Sequence, residues 1–127
     1  MNFAEYTKEV ERTVAGLKSD FDNQLHMSIG ISTEANEILD AYKKSFAYSR
    51  DLDVVNVGEE IGDLMWYIAN LTRMLNLNFD DILEVNLLKL RQRYPDKFDP
   101  EKATNRDLAM ERKILEELGF SDKSNSS

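Results

Sequence analysis

The sequence predicts an all-α protein built as a bundle of four to five helices. Only five glycines and two prolines occur in 127 residues, so few helix breakers interrupt the chain. Apolar residues recur at intervals of three and four, as Phe3, Tyr6 and Val10 do near the N-terminus. Asn2 and Asn78, which suit helix N-caps, stand where two such patterns begin. Together these features favour helices along the whole chain.

Five amphipathic segments account for the predicted helices. Asn2 and Glu5 form a capping-box pattern at the start of the first, while Asn78 begins the fourth and Pro95 ends it. Polar connections over 19–23 and 49–53 separate the first three helices. The predicted spans are 3–18, 24–46 and 54–75, then the segment between Asn78 and Pro95, and finally 105–118.

The C-terminal part is predicted to hold an extended connection after Pro95 and then the last helix. Thr104 with Asp107 offers another capping box, and Gly119 closes the helix. Residues 121–127 have the composition of a disordered tail. A chain of this length holds one hydrophobic core, so we expect a single domain over residues 1–120.

Composition argues against several classes of protein. The net charge of −8 disfavours binding to nucleic acid or to a membrane surface. No cysteine is present, which excludes disulfides and thiolate zinc sites. The N-terminus lacks an apolar signal region, and no stretch approaches the run of about 18 apolar residues that a membrane span needs. We therefore expect a cytoplasmic protein whose anionic ligands would be met by local cations or a metal.

Two carboxylate pairs lie at helical i, i+3 spacing, Glu34 with Glu37 and Glu60 with Asp63. On a helical wheel each pair stands at the edge of an apolar stripe. Like charges about 4 Å apart repel by roughly 4 kcal/mol at an effective dielectric of 20, so such acids take up protons or surround a cation. Mg²⁺ prefers oxygen ligands of this kind. The alternative interpretation is that these are ordinary acids at a helix boundary.

The fourth helix carries a second polar pattern. Asn86, Lys89 and Arg93 fall within about 60° of one another, on the side that also holds Phe79 and Ile82. Polar groups on an inward-facing stripe need partners, and an anion would serve. The alternative is that Lys89 and Arg93 complement the helix C-terminus or extend to water.

Three motifs in this order resemble those of the MazG-like, all-α nucleoside triphosphate pyrophosphohydrolases. They are GISTEANEILDAYKK with its ExxE, EEIGDLMWYIANL with its ExxD, and NLLKLRQRYPDKF with an N-x-x-K-x-x-x-R-Y-P pattern. The resemblance covers residues 3–98. One departure is Asn36, where many relatives have glycine.

The resemblance implies a helical bundle that assembles as a homodimer or homotetramer and uses Mg²⁺, with Mn²⁺ as a substitute. It implies hydrolysis of a nucleoside triphosphate between the α- and β-phosphates, which gives a nucleoside monophosphate and pyrophosphate. The metal ligands would be Glu34, Glu37, Glu60 and Asp63. Asn86, Lys89, Arg93 and Tyr94 would contact phosphate or sugar.

For catalysis, we expect Lys89 to neutralise the leaving pyrophosphate together with Arg93. Glu37 is the preferred acceptor of the water's proton, because it lies furthest from the apolar stripe of its helix.

Two rival classes remain. A ferritin-like di-iron bundle would need ExxH motifs, and His26 ends neither pair. A non-enzymatic helical oligomerisation or interaction module would keep the apolar seams without needing inward-facing acids. In either case the apolar stripes, notably on the first and third helices, exceed what one small bundle covers, so we expect at least a dimer.

Overall fold

All regular secondary structure in the described part of the chain is α-helical. The computed structural model describes residues 1–16 and 19–118, where it contains six α-helices and no β-strand. The all-α class is therefore confirmed, while the predicted number of four to five helices is too low. The helices are α1 Phe3–Glu11, α2 Asp20–Tyr48, α3 Val54–Met74, α4 Phe79–Arg93, α5 Pro100–Thr104 and α6 Leu108–Leu118.

α1 ends at Glu11 and is shorter than predicted. Both the backbone N–H of Thr13 (2.9 Å) and its hydroxyl (2.6 Å) donate to the carbonyl of Val10. In a continuing helix that carbonyl would accept from the N–H of Val14. The indole of Trp66 also donates to the Thr13 hydroxyl at 2.8 Å. Local bonding of a hydroxyl to the backbone competes with the helix, so α1 stops here although the apolar period continues.

α2 begins earlier than predicted, at Asp20. The hydroxyl oxygen of Ser19 accepts from the N–H of Asp22 at 3.1 Å and so caps the helix. Asp20 and Asp22 lie in the first turn, where the helix dipole favours negative charge. The predicted turn over 19–23 is therefore wrong, because its serine is a favourable N-cap. Residues 17 and 18, at the end of the predicted first helix, lie outside the described part.

Both N-caps that the sequence predicts in the first four helices are present. The N–H of Glu5 donates to Asn2 Oδ1 at 2.9 Å, and the N–H of Asn2 donates to the Glu5 carboxylate at 3.1 Å, which confirms the capping box. Asn78 accepts from the N–H of Asp81 at 3.1 Å at the start of α4.

The short helix α5 occupies a connection that the sequence analysis treats as extended. Asp99 accepts from the N–H of Glu101 at 2.9 Å, and Pro100 takes the first helical position, where its missing N–H costs nothing. The helix includes Thr104, so the predicted role of this threonine as a cap is wrong. Asp107 caps α6 instead and accepts from the N–H of Met110 at 3.0 Å. Gly119 and the predicted tail over 121–127 lie outside the described residues.

The chain divides into two compact units, residues 1–76 and 77–127. In the first unit α3 packs against both α2 and α1, and in the second α4 packs against α6. The single domain predicted over 1–120 stays a prediction. Within the described helices none is both long and apolar enough to cross a membrane. The buried apolar side chains are Val10, Met27, Ala41 and Ala69 in the first unit and Val85 in the second.

A close contact between α2 and α3 occurs at Gly30. This residue is buried, and a Cβ atom there would overlap the ring of Tyr67. His26, one turn earlier on α2, meets the same ring edge-on with the ring centroids 6.3 Å apart. The contact lets α2 approach α3 one turn before Glu34, which brings that carboxylate to the α3 surface.

Candidate metal centre

Three of the predicted carboxylates come together between α2 and α3. Glu34 from α2 and Glu60 and Asp63 from α3 each offer an oxygen, and these oxygens all lie within 4.8 Å of one another. Glu34 and Glu60 are half-buried, whereas Asp63 is exposed. The i, i+3 spacing on α3 supplies two of the groups from one helix face, and packing against α2 supplies the third.

The clustered carboxylates repel one another. The pKa of Glu34 is raised, first by burial, then by a hydrogen bond with Glu60, and further by the charges of Asp63, Glu60 and Glu37. Among the described residues, no lysine or arginine lies within ion-pair distance of the three clustered carboxylates. The arrangement therefore favours a bound proton or a cation among the oxygens. An all-oxygen set of this kind suits a hard divalent cation.

Glu60 is oriented by a residue that the sequence analysis did not select. The side-chain amide of Asn56 donates to Glu60 Oε1 at 3.0 Å, one helical turn away. The backbone N–H of Asn56 in turn donates to Asp53, the N-cap of α3, at 3.0 Å. The sequence signal for this contact is the spacing of four residues between the two side chains, which places an amide and a carboxylate on the same helix face. Asn56 leaves the second oxygen of Glu60 for another partner.

Tyr6 also borders the site. Its pKa is raised, first by burial and then by the charge of Asp63, which places the phenol of α1 near that carboxylate. The sequence pattern places Tyr6 only in the apolar stripe of the first helix. No local pattern connects it with Asp63, because the charge of Asp63 acts on Tyr6 only when α1 packs on α3.

Glu37 does not belong to the group of three. It lies about one turn beyond Glu34 on α2, is exposed, and acts on Glu34 through its charge. Asn36, beside it, is exposed as well. The structure thus brings together three of the four predicted metal ligands, and the roles assigned to Glu37 stay predictions.

The predicted phosphate-contacting residues belong to the second unit. Asn86 on α4 is exposed, while Lys89, Arg93 and Tyr94 are half-buried. The guanidinium carbon of Arg93 lies 5.6 Å from the centre of the Tyr94 ring. That ring is in turn 5.4 Å, centroid to centroid, from the ring of Phe98.

Arg93 has a buried acidic partner, Glu111 of α6. Its Nε donates to Glu111 Oε1 at 2.8 Å and its Nη2 to Oε2 at 3.2 Å. Arg106 donates to the same carboxylate, with Nη2 2.6 Å from Oε2. Hydrogen bonds from Arg93 and then Arg106 lower the pKa of Glu111 to about 2 despite its burial. No sequence pattern predicted this cluster, because its acid is distant in sequence from Arg93 and reaches it by helix packing.

The sequence matches a known family over the helices that carry these residues. A family model for the MazG nucleotide pyrophosphohydrolase domain matches residues 23–98, which include all eight predicted site residues. The chain belongs to the MazG family. The MazG match excludes α1 and α6, so Tyr6 and Glu111 lie outside it.

One relative extends the comparison. Gene 37 protein of Mycobacterium phage L5 is 33% identical over 86 residues, which cover 62% of this chain and 73% of that protein. No solved structure matches this MazG chain.

Proposed function

We propose that this member of the MazG family is a Mg²⁺-dependent nucleoside triphosphate pyrophosphohydrolase. Its substrates would be ribo- or deoxynucleoside triphosphates, and its products a nucleoside monophosphate and pyrophosphate. The observation that carries the proposal is the cluster of Glu34, Glu60 and Asp63, whose oxygens converge without a basic partner among the described residues. The chain would act in the cytoplasm.

The donor set fits Mg²⁺, with Mn²⁺ as a substitute. All three clustered groups offer carboxylate oxygens, which hard cations prefer, and no sulfur or imidazole ligand competes within the cluster. Glu34, Glu60 and Asp63 would hold the ion. Glu37 would either bind the ion as well or accept hydrogen bonds from the waters bound to it. When bound, Mg²⁺ supplies Lewis-acid polarisation of the phosphate oxygens.

The reaction assigns further roles to the chain's own residues. The oxygen of a water molecule forms a bond to the α-phosphorus, and the bond from that phosphorus to the oxygen bridging the α- and β-phosphates breaks. Glu37, exposed and outside the group of three, accepts the proton of the attacking water. Lys89 and Arg93 neutralise the charge that develops on the leaving pyrophosphate. Asn86 and Tyr94 contact phosphate or sugar.

A non-enzymatic helical module is the second candidate function. An interaction module gains nothing from half-buried acids that repel one another, since each raises the free energy of the folded state. The cluster therefore favours the enzyme. Purified protein incubated with a panel of nucleoside triphosphates, with and without Mg²⁺, separates the two candidates. The enzyme releases monophosphate only with the metal, and the module leaves every nucleotide intact.

We further propose that the chain assembles through α2. The sequence predicts surplus apolar surface on the first and third helices, but α1 packs on α3 and its Val10 is buried. The more continuous exposed face lies on α2, where Phe21 is 69%, Leu39 65% and Phe46 88% exposed. These side chains point away from the α2 face that contacts α3, which includes the buried Gly30.

The pattern on this α2 face fits a second copy of the chain in antiparallel orientation. Its residues pair symmetrically about the middle of the helix, so that large side chains meet at both ends and small ones at the centre. A small centre allows close approach of two helix backbones. The same register brings Asp22 of one copy alongside Lys43 of the other, which gives complementary charge. The facing pairs would be Phe21 with Phe46, Leu25 with Tyr42, Ser28 with Leu39, and Ser32 with Ala35.

A further inference from the structure

The acid that holds Arg93 comes from outside the segment that matches the family. Glu111 lies in α6, beyond residues 23–98, and its side chain is only 4% exposed. Its carboxylate bonds two guanidinium groups at once, those of Arg93 and Arg106. The Arg93 side chain is 15% exposed and that of Arg106 37%, so Arg93 is the more enclosed partner.

The contact with Glu111 fixes the guanidinium group of Arg93 and still leaves some of its N–H donors for another ligand. A guanidinium group is a planar fork with five N–H donors, and Glu111 takes the edge formed by Nε and Nη2. The edge that includes Nη1 is turned away from Glu111. Because the group is planar, fixing one edge fixes the direction of the other. Tyr94 restricts the same guanidinium from beside it, at 5.6 Å from its ring centre.

The cluster also keeps a positive excess. One carboxylate faces two guanidinium groups, so at neutral pH the three side chains carry one net positive charge. A cavity of about 200 Å³ adjoins them and is also lined by Lys102 and Asp107, whose opposite charges leave the excess at one. Replacing a buried ion pair with apolar side chains of similar volume is often neutral or stabilising, so packing alone does not explain why charged groups stand here. An excess of positive charge beside a cavity suits a partner that is itself anionic, such as a phosphate group.

We propose that Glu111 is a positioning residue that holds the guanidinium of Arg93 in the orientation that binds the phosphate chain of the nucleoside triphosphate. This inference rests on the proposed function, because it requires that Arg93 contact the substrate. Glu111 itself touches no substrate atom. α6, which the family match leaves without a role, thereby becomes part of the substrate-binding apparatus.

The test is a double-mutant cycle between Glu111 and Arg93 in the full chain, read out as KM and kcat for a nucleoside triphosphate. Glu111→Gln removes the charge. Glu111→Asp keeps the charge but withdraws the carboxylate by one methylene, and circular dichroism of each variant checks that the helices remain folded. Glu116→Gln is the matched control, since Glu116 lies on the same helix in an exposed pair with Arg112. Each variant is also made in an Arg93→Ala background.

We expect both Glu111 substitutions to raise KM at least about tenfold with a smaller change in kcat, the scale of one misplaced charge-assisted contact. Glu116→Gln should stay within about twofold of the unmodified protein. In the Arg93→Ala background, Glu111→Gln should add less than about twofold, because its effect acts through Arg93.

Three results would overturn the inference. An unchanged KM would show that Arg93 needs no positioning, and a lower KM would show that Glu111 competes with phosphate for it. An equal loss with and without Arg93 would reduce Glu111 to a structural role. If the proposed function itself is wrong, the unmodified protein will hydrolyse no nucleoside triphosphate, and this result is distinct from the three above.

Discussion

At the scale of single residues, the three clustered carboxylates carry the proposed chemistry, and their neighbour Glu59 provides a control. Glu60 accepts from Asn56 and lies in the cluster, whereas Glu59 is exposed and outside it. The sequence could predict this difference, because adjacent positions on a helix point about 100° apart and only one of them borders the apolar stripe.

Glu60→Gln should lower Mg²⁺-dependent hydrolysis at least about a hundredfold, the scale of losing a fixed charge in a catalytic site. The amide keeps the shape of the side chain but not the charge that would hold the ion. Glu59→Gln should leave the rate unchanged. Millimolar Mg²⁺ should also raise the melting temperature of the unmodified protein, but not of Glu60→Gln, because a ligand that binds only the folded state stabilises it. Near-normal turnover by Glu60→Gln would remove this residue from the metal site.

Glu111 should make the stability of the second unit depend on pH. Its pKa falls from an ordinary 4.5 to about 2 in the folded chain, so the unfolded state binds protons more readily. The stabilisation is complete above pH 4.5 and is lost as pH falls toward 2. The protection factors of the α6 amides in hydrogen exchange, which remove the intrinsic pH dependence of the exchange rate, should therefore fall over that range, and they should fall less in Glu111→Gln. An equal fall in both proteins would contradict this assignment.

At the scale of helices, local caps account for the predicted starts of α1 and α4 and also for the missed starts of α2, α5 and α6, whereas the early end of α1 also involves a long-range contact. Asn2 with Glu5 and Asn78 cap their helices as expected, because a cap depends only on residues three positions away. The early end of α1 involves Trp66, which lies 53 residues from Thr13 in sequence. Such a contact forms only when α1 packs on α3, so no window of local sequence contains it.

At the candidate site, too, some features depend on residues within one helix and others on the packing of distant helices. The positions of Glu34, Glu60 and Asp63 followed from helical spacing and apolar edges, since each pattern is confined to one helix. The pairing of Arg93 with Glu111 joins residues 18 apart across two packed helices. The charge of Asp63 acts on Tyr6 across packed helices as well, and neither interaction leaves a periodic pattern in the sequence.

The seam between α2 and α3 can be tested with two glycines. Gly30→Ala should destabilise the fold by about 1–3 kcal/mol, because the added methyl group overlaps the Tyr67 ring and must displace it. Gly58→Ala, on α3, adds the same group where no atom lies within 4 Å. It should stabilise the fold by about 0.5–1 kcal/mol, since alanine favours a helix interior over glycine. Chemical denaturation measures both changes, and equal effects of the two substitutions would argue against the close contact.

At the scale of the whole molecule, the apolar face of α2 predicts self-association. One chain has a mass of 14.7 kDa, and light scattering at micromolar concentration should give at least twice that value. Leu39→Lys places a charge within the face and should shift the mass to that of a single chain. Leu108→Lys, the same substitution at an exposed leucine of α6, should not. A monomer mass for the unmodified protein would contradict assembly through α2.

The central claim is that water attacks the α-phosphorus of a nucleoside triphosphate in a Mg²⁺-dependent reaction. Hydrolysis in water labelled with heavy oxygen, followed by mass spectrometry of the products, tests it most directly. We predict that the label enters the nucleoside monophosphate, that the pyrophosphate stays unlabelled, and that chelation of the metal stops the reaction. Label in the pyrophosphate, or a nucleoside diphosphate with orthophosphate as the main products, would contradict the account.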